Sequence, residues 1–281
     1  MGMWPLLNLA TRWWWRLWGR PVDVRGPEAW LDGPMHRAGP VGVEWLRAAA
    51  EQSGTRLVEH PDAGLVASMA DLDSDRFDHR FVDPLVRDFY EHTARWRLDV
   101  WTGWNPVSRL GGALIGRWFG RRVGQLTIPT DPISTSRGMD SRVVTFVDGD
   151  DRLRGAAWIR TLRATGEYVY SGRYAVTTLP ATGRPAVHVT FPLASGNVQV
   201  FLQPENDPDG SLWLRSPRSA HGGLGTYVVV RIAGRHHAAH PALTETFHVF
   251  VDDEGVLRTD HELRLWGLRV VRLHYRLGKR P

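Results

Sequence analysis

The stretch that decides the fold lies between Glu167 and Gln203: EYVYSGRYAVTTL (167–179), AVHVTFPL (186–193) and NVQVFLQ (197–203). In each piece apolar or aromatic residues recur at every second position, the period of a strand with one buried face. The links ATGR (181–184) and ASGN (194–197) have the length and composition of hairpin turns. With no helix between them, neighbouring strands pair antiparallel.

The same period extends in both directions. Before this stretch come SRVVTFVD (141–148) and GAAWIRTL (155–162). After it come SLWLRS (211–216), GTYVVVRIA (225–233), ETFHVFVD (245–252), VLRTDHELRLW (256–266) and LRVVRLHYRL (268–277). DGDD, ATGE, PENDPDG, the Gly222–Gly223 pair and DDEG punctuate them. About ten strands with hairpin-length links predict an antiparallel, lipocalin-like curled sheet or barrel over residues 138–281. No long helical pattern follows the last strand, which argues against helix-grip folds.

Upstream the period is helical. WPLLNLATRWWWRLW (4–18) places Leu6, Leu9, Ala10, Trp13, Trp14 and Leu17 on one stripe, with Pro5 in the first turn. Five of the 14 tryptophans fall here, beside Arg12 and Arg16. A short helix carrying Trp13, Trp14, Trp18, Arg12 and Arg16 suits a bilayer interface or a partner surface, or it covers the protein's own core. It lacks the basic n-region and small-residue cleavage site of a secretory signal. Residues 19–40, rich in Gly and Pro, read as an irregular connection. Helical patterns follow near 41–52, 81–97 and 107–119. The expected fold class is therefore α+β: an amphipathic helix (1–25), a helical region (26–137) and the β domain (138–281).

Composition limits the chemistry. Of 281 residues none is cysteine, which excludes disulfides, thiol nucleophiles and Cys-ligated metals. No apolar run reaches the ~20 residues of a spanning helix. The net charge of +5 sits at the ends, with +3 over residues 1–25 and +5 over 258–281 around a near-neutral middle. A nucleic-acid binder needs a basic stripe along one face, so no nucleic-acid partner is expected. The expected location is the cytoplasm, with the first helix on the cytoplasmic face of a membrane.

Several segments recur in a recognisable order: RWFGRRVGQLTIP (117–129), the strand at Ser141–Arg142, WIRTL (158–162), GSLWLRS (210–216), the strand at Glu245–Phe247, and Tyr275. Over about residues 80–277 the chain resembles a bacterial domain of unknown function. That domain occurs at the C-terminus of YndJ-like proteins and in fusions with saccharopine-dehydrogenase-like enzymes. The resemblance implies a domain boundary and no particular activity. The nucleotide-binding partner of those fusions is not seen, since no GxGxxG follows a strand and opens a helix.

The last hairpin carries the sharpest polar pattern. With Gly267 at the centre of a three-residue turn, Asp260 faces His274 and Glu262 faces Arg272. An Asp–His pair raises the basicity of the imidazole and fixes its tautomer, as acid–base catalysis requires, and it also suits a solvated sheet face. Tyr168, Tyr170 and Tyr174 alternate onto one face of their strand. With Trp158, Trp213 and Arg272 they form a candidate aromatic pocket for a small hydrophobic ligand or lipid. RHHAAHP (235–241) reads as a surface turn rather than a zinc site, and DLDSD (71–75) as a capping turn rather than a calcium loop, for lack of Gly and Glu at the required positions. GGLG (222–225) leads into a strand without the helix that a phosphate cradle uses.

Three functions are compatible with these residues. The preferred one is binding of a small hydrophobic ligand or lipid in the β domain, with no cofactor, and contact with a membrane or partner through the first helix. The second is a cofactor-independent lyase, isomerase or hydratase using Asp260 and His274. The third is a haem-binding barrel with His274 or His248 as axial ligand.

Overall fold

The computed structural model describes residues 15–36, 42–104, 139–163 and 165–280. Candidate features at Arg12, Trp13, Trp14 and 107–119 lie outside these residues.

The segment expected to be helical contributes three strands, β1 (Arg20–Val22), β2 (Arg56–Val58) and β3 (Trp96–Trp104), and, besides the helical residues 15–18, two short helices, α1 (Trp45–Ser53) and α2 (Pro84–Glu91). α2 forms where a cap and an amphipathic pattern coincide. Pro84 opens it, the Asp83 carboxylate accepts the Leu85 N–H at 2.7 Å, and Val86, Phe89 and Tyr90 are buried.

Eleven further strands follow: β4 (Met139–Val147), β5 (Leu153–Leu162), β6 (Tyr168–Thr178), β7 (Pro185–Leu193), β8 (Gly196–Asn206), β9 (Leu212–Arg215), β10 (Gly225–Ile232), β11 (Arg235–Ala239), β12 (Leu243–Val251), β13 (Leu257–Leu265) and β14 (Leu268–Lys279). The antiparallel order is β2-β4-β5-β6-β7-β8-β9-β12-β13-β14-β3. β8 forks: Gly196–Phe201 pairs with β10, which leads on to β11 and β1, while Gln203–Asn206 pairs with β9.

The sheet is open and has fourteen strands among the described residues, so a closed, ten-stranded, lipocalin-like barrel is not what forms. The seam lies where β3 approaches β4, with no ladder between them among the described residues. There the Arg280 guanidinium donates to the Ser141 carbonyl, so a side chain takes one place that a strand would fill. The extra strands are β1, β2 and β3 upstream, and β11, which forms from RHHAA where a surface turn was expected.

The largest apolar cluster fills the concave side of the curl and takes in Trp158, Tyr170, Val189, Leu202 and Leu273, with Phe89 and Tyr90 of α2. Outside, α1 stacks Trp45 on Phe146 and donates its indole N–H to Ser171 Oγ at 2.8 Å. The segment 28–36 is pinned by buried amides: Gln199 Nε2 donates to the Leu31 carbonyl at 2.7 Å, and Asn197 Nδ2 to that of Gly33 at 3.1 Å.

Candidate functional site: an apolar cavity with a buried cation

The concave face encloses a cavity of about 780 Å³. Trp158, Tyr170 and Tyr174 line it together, on strands β5 and β6. Trp158 is fixed by donating its indole N–H to Ser141 Oγ at 2.8 Å, and it packs edge-on against both tyrosines. It faces Gly172 across the ladder; a Cβ there would meet the Tyr170 hydroxyl at 3.2 Å, so glycine leaves room for the rings.

Tyr168 does not join them. The ladder between β5 and β6 shifts between Arg160 and Thr161, and the extra residue on β6 is Val169. One inserted residue reverses the alternation, so Tyr168 turns outward and packs with α1 while Val169 enters the cavity lining. Trp213 also lies outside, stacked on His248 with ring centroids 4.1 Å apart and covered by Arg215. Trp18 stands at the mouth of the cavity, 69% exposed.

The Asp260–His274 pair forms in the expected register, with Asp260 Oδ1 2.8 Å from His274 Nδ1. The turn itself is tighter than expected, with Trp266 and Gly267 alone at its tip, and a bulge next to Arg264 restores the pairing. The pair sits on the convex side. Leu257, Thr259, His261 and Leu263 point to the interior, whereas Arg258, Asp260 and Glu262 alternate with them, and Arg272 donates to Asp260 Oδ2 at 2.9 Å. Burial alone would raise the Asp260 carboxyl, but the hydrogen bonds from His274 and Arg272 outweigh it and hold the group below its ordinary range. A full row crosses this outer face: Trp213, His248, Asp260, His274 and Trp101 on five successive strands. His248 and His274, the expected haem ligands, therefore both face away from the cavity.

Several polar side chains interrupt the apolar lining, and three features among them bear on its chemistry. Arg160, 7% exposed, lies over the rings of Tyr170 at 4.2 Å, Trp158 at 4.5 Å and Tyr275 at 5.7 Å, and its buried Nε has no hydrogen-bond partner among the described residues. Glu245 and His261 form a second feature, Oε2 to Nε2 at 3.2 Å, with the imidazole stacked on Phe247. The third is the buried hydroxyl of Tyr170, which faces that of Tyr174. Burial drives the Tyr170 phenol well above its ordinary pKa, and pushes Tyr174 up to about 12, with the Arg160 charge opposing in both cases. Both phenols therefore remain hydrogen-bond donors at neutral pH.

Arg160, Glu245 and His261 escaped the sequence reading. The signal was present: each stands at a core position of its strand, in register with Trp158, Phe247 and Leu263, where an apolar residue is the rule.

The acidic turn behaves as a cap. Asp78 accepts the Arg80 N–H, Asp75 pairs with Arg184, and Asp73 accepts both the N–H and the ring of His79. One ligand atom from each of Asp73, Asp78 and His79 lies within 4.8 Å of the others, and these atoms are engaged in those bonds.

With this geometry in view, one comparison is informative. The chain is similar to YndJ of Bacillus subtilis (strain 168). Identity is 28% over 241 residues, covering 84% of this chain and 41% of the relative. That relative is named an uncharacterized membrane protein. The chain thus spans well under half of its length. No family model matches, and no solved structure matches. No helix among the described residues is long and apolar enough to cross a membrane.

Proposed function

We propose that this chain binds a small hydrophobic ligand or lipid in the cavity on the concave face of its sheet. The observation that carries the reading is a cavity of about 780 Å³ whose walls are largely aromatic and aliphatic. That is the size and character of a site for a molecule with an extended apolar part. Its mouth supports a membrane as the source. Trp18 and Trp266, 69% and 77% exposed, both border the cavity, and Leu17 and Leu268 beside them are exposed as well. Trp266 also holds a left-handed backbone conformation (φ 51°) at the hairpin tip, where Asn or Gly is the unstrained choice. Two solvent-facing indoles at the rim of an apolar cavity suit the interfacial zone of a bilayer.

Two measurements test this. N-phenyl-1-naphthylamine, a neutral apolar dye, should gain fluorescence on entering the cavity. The gain should vanish when Val189→Trp and Val198→Trp together fill the lining; equal fluorescence from both proteins sinks the cavity reading. For the membrane, vesicle flotation compares the full chain with one lacking residues 1–20. Equal flotation, or none with either, retires that part.

A second reading has one observation in its favour. The Glu245–His261 pair stands inside the cavity, where it could exchange a proton with a bound molecule. This moves a cofactor-independent lyase, isomerase or hydratase from Asp260 and His274 to the concave face. Turnover of a ligand recovered from the protein, lost in His261→Gln with binding retained, is its signature.

A further inference from the structure

The cavity reading leaves the chemistry of the ligand's polar end open, and the interior of the site bears on it. A cavity meant for a wholly apolar guest has no use for an ionised group in its wall, since burying one is costly unless it is paired. Arg160 is such a group. It is more than nine-tenths buried and lines the cavity, and no carboxylate among the described residues forms an ion pair with it. Three aromatic faces surround its guanidinium and leave its Nε donor without an acceptor.

The negative charge nearest in kind is Glu245, the one carboxylate among the described residues of the lining, and it is opposite His261 at 3.2 Å. Arg218, at the exposed rim, adds a second positive charge. His240 also lines the cavity, and burial lowers its pKa to about 4, which keeps it neutral. The wall as a whole is therefore short of negative charge. Beside Arg160, on the paired residue of β6, stands the Tyr170 hydroxyl, a second buried donor, which faces that of Tyr174.

Resting on the cavity reading, we infer that the ligand is an amphipathic acid. Its carboxylate or phosphate head meets the Arg160 guanidinium and the Tyr170 hydroxyl, and its apolar chain extends among Val189, Leu202 and Leu273. A planar guanidinium presents several donors in a fixed fork, which matches the two or three oxygens of such a head. The head thus supplies the acceptor that the protein withholds from Arg160.

Displacement of N-phenyl-1-naphthylamine by oleate, oleyl phosphate and oleyl alcohol separates the claims, because the three share one chain. The native protein should prefer at least one acid over the alcohol by on the order of 10- to 100-fold, the worth of a charge-assisted hydrogen-bond pair. The stronger of the two acids identifies the head. In Arg160→Met the preference should fall to about twofold with binding of the alcohol retained. Tyr170→Phe should weaken the acid by less than Arg160→Met does and leave the alcohol unchanged. Equal displacement by acid and alcohol in the native chain overturns this inference and leaves the cavity reading standing, as does a preference that survives in both Arg160→Met and Arg160→Gln. Failure of the dye to bind the native chain overturns both.

Discussion

Replacing Arg160 with methionine should make the ligand-free protein more stable. The magnitude follows from what surrounds the guanidinium. Burial of an ion at this depth carries an effective penalty of several kcal/mol. Against it stand the ring contacts at 4.2 and 4.5 Å, worth about 1–2 kcal/mol each in a desolvated setting, and a weaker one at 5.7 Å. The Glu245 carboxylate in the same cavity offsets a little more. The balance leaves Arg160 costing about 1–3 kcal/mol, and methionine, apolar and flexible, fills the same space without that cost. Urea unfolding of protein passed over a delipidating resin measures it: the midpoint should rise at unchanged slope. Arg142→Met is the control, because Arg142 forms an exposed pair with Glu59 and its loss should cost no more than about 1 kcal/mol. A midpoint that falls for Arg160→Met would refute the reasoning, since it would mean the protein already satisfies this cation.

Three further outcomes follow from other parts of the molecule. His188 is buried among Gln199, Thr190 and Thr177, and burial lowers its pKa to about 3. The unfolded chain therefore takes up a proton below about pH 6.5 that the native one refuses, so stability is full above that value and falls by about 1.4 kcal/mol per pH unit below it; urea melts at pH 7 and 5 should show the drop, and His188→Gln should flatten it. Trp266→Asn should raise stability by about 1 kcal/mol, by relieving the left-handed backbone, while weakening vesicle flotation; unchanged flotation would remove Trp266 from the membrane surface. Asp260→Asn, on the convex face, should cost no more than about 1 kcal/mol and leave dye binding as in the native chain; lost binding would place the outer row in the site.

Much of the sheet is legible in the chain because one face of each long strand is buried and the side-chain period of two survives. The pairing of Asp260 with His274 and of Glu262 with Arg272 is an instance: Leu257, Leu263, Val271 and Leu273 must all point inward, and few registers allow it. Bulges are where such reasoning breaks. Val169 inserts one residue and sends Tyr168 outward, with nothing in the sequence to mark it. The strands Arg20–Val22 and Arg56–Val58 are three residues each, too short to show any period, and they exist because tertiary neighbours supply their ladders. The site was half legible. Trp158, Tyr170 and Tyr174 stood out as aromatic, whereas Arg160, Glu245 and His261 looked like ordinary polar residues until their parity was counted. Asp260 and His274 drew attention as a pair, but the alternation that builds the pair also places it on the convex face.

The central claim is that the concave cavity holds an amphipathic small molecule, and native mass spectrometry of the purified chain tests it most directly. The account predicts a bound species whose mass, after release and fragmentation, is that of an acid with an apolar chain, absent when Val189→Trp and Val198→Trp fill the lining. A bare protein mass that persists when the chain is purified from lipid-rich extract, or the same adduct on the filled variant, would contradict it.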